Sequence, residues 1–333
     1  MKNQMLMKTV LIACVLILAA AVILAAGQVF GFASYRYAGE EKYTPGNASI
    51  REPVRNLDIH WINGKVRIEF HSGETILLSE TSDRDIPEDL RLRWWLDGDT
   101  LRVQYAKPAF RMSWTQKKEL TLTLPEGITL NDVRIDATSS VLELPALRAE
   151  TLSLATTSGD ILAAAEASVI RCTSTSGRIA LQSLADAREI QAEATSGSVQ
   201  IDAARADRLK VSLTSGDIAI RAAQTGTLDA SSTSGRIDAD IGELGTGRIH
   251  TTSGGIAVKA AALTSLDLDS TSGGVHASLP AEPGLTVRAD TTSGRFEHNL
   301  PLTRTGDQYV CGDGHAAVRL NTTSGNILLD PVR

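Results

Sequence analysis

The triplet Thr-Ser-Gly recurs nine times in the second half of the chain, ending at Gly159, Gly177, Gly197, Gly216, Gly235, Gly254, Gly273, Gly294 and Gly325. Successive glycines lie 18, 20, 19, 19, 19, 19, 21 and 31 residues apart, and a decayed copy, Thr138-Ser139-Ser140, stands 19 before the first. A fixed period of this size marks a repeat array, in which each unit buries its apolar face only by stacking on its neighbours.

Aligned on the glycine, the positions two and four after it are apolar in most units, as in Val199/Ile201, Ile218/Ile220 and Ile256/Val258. So are those seven and five before it, as in Leu152/Leu154, Leu209/Val211 and Leu266/Leu268. This pattern predicts two short strands per unit, each with one buried face at period two. The inward phase slips by one residue at the triplet, so the nine glycines are predicted corners, where a missing Cβ tolerates the bend. Stacked hydroxyls are expected to satisfy polar groups there. A period of 19 is too short for a propeller blade. Aromatics are only 4% of the chain, and beyond residue 138 only Phe296 and Tyr309 remain. Narrow layers of Ile, Val, Leu and Ala fit that scarcity, and the predicted fold is an all-β β-solenoid of about 19-residue coils over 138–333.

Residues 57–137 read as an N-terminal antiparallel β region that caps the open first layer, since a bare strand edge invites aggregation. Leu57–Ile62 and Val66–Phe70 alternate on either side of Asn63-Gly64, a hairpin signal. Leu90–Leu96 and Leu101–Tyr105 flank Asp97-Gly98-Asp99 in the same way. Trp94-Trp95 is read as core rather than as a ligand platform. The long interval before Gly325 predicts an inserted hairpin at about 300–316.

Residues Thr9 to Ala26 form an uncharged apolar run preceded by Lys2 and Lys8. Eighteen residues make about 27 Å of helix, enough to cross a bilayer core. The run is expected to be a single-pass signal anchor, with 1–27 as cytoplasmic stub and membrane helix and 28–56 as a juxtamembrane connector. The N-terminus is then cytoplasmic and the repeats are extracytoplasmic. Secretion after cleavage of a signal peptide is the alternative.

The sequence offers little catalytic chemistry. The residues after the glycines (Asp160, Arg178, Ser198, Asp217, Arg236, Gly255, Gly274, Arg295, Asn326) lack the repeated acid of a calcium-binding roll. The six histidines lack zinc-ligand spacing, and Cys172 and Cys311 are expected to be buried rather than paired. Asp238/Asp240 and Asp267/Asp269 are the carboxylate pairs that a polysaccharide-modifying enzyme would use. No catalytic, cofactor or metal residue is assigned. A net charge of −6, spread along the chain, argues against a nucleic-acid partner.

The stretch Leu57–Phe70, the run Asp97-Gly98-Asp99-Thr100-Leu101, Leu120–Gly127 and the serial Thr-Ser-Gly-x-Ile/Val units together resemble the bacterial "putative adhesin" family called domain of unknown function 4097. The resemblance implies a β-solenoid, often membrane-tethered, with roles at the cell envelope in adhesion or stress sensing, and it carries no catalytic residue. The expected function is a membrane-anchored, non-enzymatic, extracytoplasmic binding or stress-sensing scaffold. Its expected partners are the lipid bilayer, through the N-terminal helix, and an envelope protein or wall polymer. A polysaccharide-modifying solenoid enzyme is the alternative.

Overall fold

The computed structural model describes residues 37–108 and 116–332. The predicted anchor, Thr9 to Ala26, lies outside them. Among the described residues the chain is all-β: there is no α-helix, only two short 3-10 turns at Glu40–Lys42 and Glu88–Leu90, and no helix is long and apolar enough to cross a membrane.

Each repeat forms one rung, running from two residues after one glycine to the residue before the next. Leu130–Ser158, Ile161–Ser176, Ile179–Ser196, Val199–Ser215, Ile218–Ser234, Ile237–Ser253 and Ile256–Ser272 follow one another in parallel. The register is set by the repeat, with Val199 beside Ile218 and Ile218 beside Ile237. Two short strands per repeat were expected, and the structure shows one continuous extended segment. Between Val199–Ser215 and Ile218–Ser234 the ladder skips only Ala204, Asp207 and Thr214, so the bends are single residues that leave the extended backbone intact. The inward files of both halves are buried in one core, including Ile201, Leu209, Val211, Ile220, Leu228 and Ile237. Burying such side chains contributes about 1.5–3 kcal/mol each.

The Asn63-Gly64 hairpin is not formed. Asn56–His71 is a single strand, and Gly64 is a corner of the same kind as the later ones, with φ +116° and Ser140 as its register partner. Alternation on both sides of a positive-φ residue describes a hairpin and a rung corner equally well. What distinguishes them is the parallel neighbour on each side of this strand. Leu130–Ser158 flanks one side, while Thr100–Gln104 and Lys118–Pro125 share the other. The antiparallel cap is therefore smaller than expected. Arg93–Asp97 turns onto Thr100–Gln104 through Gly98-Asp99, Ile76–Ser82 runs beside Lys118–Pro125, and Thr44–Pro45 and Ala48–Ile50 lie outside these.

The far end departs from sequence order as well. Thr303–Thr305 and Gln308–Gly312 form the expected hairpin, and Gln308–Gly312 also pairs with Gly284–Ser293. The last repeat unit does not follow the Gly294 unit in space. Ala316–Ser324 lies between Ile256–Ser272 and Gly284–Ser293, and Ile327–Pro331 lies between Val275–Leu279 and Phe296–His298. The rung order is thus Gly254, Gly273, Gly325, Gly294. At both ends of the stack a segment of chain is clamped one rung inside a neighbour from elsewhere in the sequence.

Candidate functional site

The nine triplet glycines lie in one file along the stack. Seven of them, Gly159 to Gly273, have φ between +120° and +157°, whereas Gly294 and Gly325 carry no positive φ. All nine share a different constraint: a Cβ would fall 1.7 to 2.2 Å from the carbonyl oxygen of the corner residue one rung away. Stacking clearance therefore accounts for the whole file, and backbone conformation for most of it.

The hydroxyl that serves the corner belongs to the residue three before the glycine in seven of the nine units, Ala194 and Leu213 being the exceptions, and the sequence reading overlooked it. Thr322 Oγ1 donates to Gly273 O at 2.9 Å, Thr291 Oγ1 to Gly325 O at 3.0 Å and Ser270 Oγ to Gly254 O at 3.2 Å. Ser174 and Ser232 occupy the same file without a partner. The signal was present as a polar residue at an inward phase. Losing such a bond while the carbonyl stays buried costs about 1–3 kcal/mol. The Thr and Ser of the triplet itself mostly face solvent, Thr214 and Ser215 among them. Beside them, the residue after the glycine ties adjacent rungs. Asp160 Oδ1 accepts from Arg178 N at 2.8 Å, Asp217 Oδ1 from Arg236 N at 2.9 Å and Asn326 Oδ1 from Arg295 N at 3.1 Å. Six of the nine residues in the irregular series read from the sequence thus form rung-to-rung pairs, all but Ser198, Gly255 and Gly274.

Outward charges form files up the stack, and many are spent within it. Arg148 meets Glu166 at 2.8 Å, Arg171 meets Glu189 at 2.7 Å and Arg221 meets Asp202 at 3.5 Å. Near the first rung Glu143 lies 2.8 Å from Lys65, whose hydrogen bond, with help from Arg67, holds the carboxyl below its ordinary range. Of the candidate acids, Asp240 pairs with Lys259 at 3.8 Å, and Asp269 accepts from Asn321 at 2.9 Å and lies 3.5 Å from His250. Asp238 and Asp267 point outward with no ion pair among the described residues.

One stretch of surface breaks this pattern. The seventh position before the glycine is Leu, Ile or Val in every rung except at Gly247. Leu244 and Leu266 lean into the vacancy, where a Cβ would meet them at 2.9 and 2.8 Å. Above it opens a groove of about 330 Å³, lined by Thr246, Arg248, Ser265, Asp267, Thr286, Gln308, Arg288 and Arg319 around an apolar floor. Arg248, Asp267, Arg319 and Arg288 follow one another on successive rungs. Arg288 pairs with Asp307, whereas Arg248 and Arg319 make no ion pair among the described residues. The groove presents unspent guanidinium groups beside a file of hydroxyls, a geometry suited to holding oxyanions.

The capped end holds a second group of residues that the sequence did not reveal. Lys118, its side chain fully buried, reaches Glu80 at 2.9 Å, donates to the carbonyls of Leu90 and Tyr105, and lies 4.0 Å from the Tyr105 ring and 5.0 Å from the Trp61 ring. Burial pulls its pKa down, opposed by Glu80. Burial also pushes the Tyr105 hydroxyl up to about 12. Trp94 packs on the core, and Trp95 is half-buried against Tyr43 with Lys42 4.6 Å over its ring. Cys172 and Cys311 are buried free thiols, and burial raises Cys172 to about 12.

The sequence model of the family described as Toastrack DUF4097 matches residues 54–330. No curated protein matches the chain. Among solved structures, one titled a "putative cell adhesion protein" from Clostridium sporogenes shares 10% identity at a TM-score of 0.27, over 86% of this chain and 100% of that one. A "putative adhesin" from Bacteroides fragilis shares 11% at 0.33, over 86% and 96%. A "putative lipid binding protein" from Parabacteroides distasonis shares 13% at 0.39, over 85% and 96%. With more than half of its length matched, from the first parallel rung to the last, the chain belongs to the Toastrack DUF4097 family.

Proposed function

We propose that the chain is a non-enzymatic, extracytoplasmic binding scaffold, anchored to the cell membrane by residues 9–26, whose stacked rungs hold a polar face at fixed spacing. The observation that carries this reading is the groove above Gly247, where Arg248 and Arg319 line one opening without an ion pair while many charges elsewhere on the stack are paired. Its lining holds three arginines against one aspartate, Asp267, on a chain of net charge −6. That local excess of positive charge suits a phosphate- or carboxylate-bearing polymer of the envelope.

The test uses intact cells that display the full chain, with fluorescent polyglycerol phosphate and a fluorescent polyuronate as probes. Intact cells should bind at least one probe, and Arg248→Ala with Arg319→Ala should weaken binding roughly tenfold, about 1.4 kcal/mol, without lowering the melting temperature. Binding that appears only after lysis would overturn the topology. Binding that the double substitution leaves unchanged would overturn the groove.

A further inference from the structure

The inverted order of the last rungs leaves a slot in the stack that the chain frames before it is filled. Val275–Leu279 and Phe296–His298 form its two walls on one face, and Ile256–Ser272 and Gly284–Ser293 form them on the other. With one rung between them, the walls stand about 9.6 Å apart, twice the strand spacing. Only residues 280–283 join them. The gap is a complete strand site with a ladder on either side, and its walls do not include the segment that occupies it.

The occupant, Ala316–Pro331, enters by a narrow crossing. Residues 313–315 pass over the start of Gly284–Ser293, held by Asp313 N donating to Pro283 O at 2.9 Å and Thr286 Oγ1 donating to Gly314 O at 3.0 Å. A Cβ on Gly284 would fall 2.4 Å from Asp313 N, so that glycine makes the crossing passable. Beyond it the segment buries Val318, Leu320, Thr322, Ile327 and Leu329, the positions also buried in its neighbour on the Gly273 side as Leu266, Leu268, Ser270, Val275 and Ala277. The fit is made by the repeat pattern and by the corner, where Gly325 packs on Gly273 O and Gly294 packs on Gly325 O.

We propose that this slot is a strand-acceptor site and that its second occupant is the 316–331 segment of another copy of this chain. Straightening of residues 313–315 carries the segment out of its own stack and into a neighbour's, joining two copies through a full rung of backbone pairing. Nothing new has to be recognised, because each copy carries the segment that the other's slot fits. The exchange also touches the groove above Gly247, because Arg319 belongs to the moving segment and would then be supplied by the second copy.

The test takes full-length chains with Cys14→Ser and one added cysteine each, Ser272→Cys in one batch and Ser324→Cys in the other. Ser272 and Ser324 are register partners, and both are exposed. The batches are mixed, warmed below the melting temperature, cooled and oxidised. A control mixture pairs Ser272→Cys with Ser234→Cys, an exposed position of the same file that belongs to no slot. Exchange predicts roughly tenfold more mixed disulfide for the 272/324 mixture than for the control, rising with the concentration at which the chains were warmed. A yield equal to the control, or one independent of that concentration, would overturn the proposal.

Discussion

Replacing Gly216 by Val should destabilise the stack by more than about 4 kcal/mol, in the range reserved for severe steric conflict. The added Cβ would fall 1.7 Å from Gly197 O, and the residue holds φ at +125°, which β-branched side chains avoid. Backbone lies on both sides of the clash, so relief requires separating two rungs that pair along their whole length. The matched control is Gly255→Ala. That glycine carries no positive φ, and its nearest atom, Gly274 O, is 3.6 Å from an added Cβ, so the change should stay within about 0.5 kcal/mol. Denaturant midpoints of the two variants provide the measurement. Equal midpoints would mean that the corner file is not closely stacked.

Lys118→Met should cost about 3–5 kcal/mol, because it strands a buried partner. Glu80 is 4% exposed at its side chain and would be left without its cation, with only Leu92 N, at 2.7 Å, still donating to it. The carbonyls of Leu90 and Tyr105 would lose their donor at the same time. Adding Glu80→Gln removes the stranded carboxyl while keeping an acceptor for Leu92 N, so the double variant should recover part of the loss. A single variant within about 1 kcal/mol of the parent would contradict this assignment. Both experiments act on stacking, one in the middle of the array and one at its capped end.

The middle of the array was legible in the sequence because one rung repeats its apolar positions at a constant interval. Val199, Ile218 and Ile237 become register partners for no other reason. The ends were not legible, for two physical reasons. Alternation around Asn63-Gly64 specifies the faces of a strand but not the direction of its neighbours, so a parallel corner passed for a hairpin turn. Similarly, every unit carries the same interface, so nothing local to Ala316–Pro331 says which two rungs it enters. That choice is made by the connections at 280–283 and 299–315. The groove escaped notice because it arises from an omission, Gly247 in place of an aliphatic residue, together with arginines that look like ordinary surface until their rung neighbours are known. Lys118 was unreadable for the related reason that its partners, Glu80, Leu90 and Tyr105, come from three separate segments.

The central claim is the in-register stack with its interleaved last rungs, and a pair of engineered disulfides tests it most directly. In a dilute Cys14→Ser background, Ser272→Cys with Ser324→Cys places the two thiols on adjacent rungs, about 4.8 Å apart along the stack. Ser272→Cys with Ser293→Cys places them two rungs apart, about 9.6 Å, with Ser324 between. A disulfide needs Cα atoms within about 7 Å. On oxidation the first pair should close within the molecule and the second should remain reactive to a thiol reagent. Closure of 272 with 293, and failure of 272 with 324, would mean that the rungs follow sequence order, and would contradict the account.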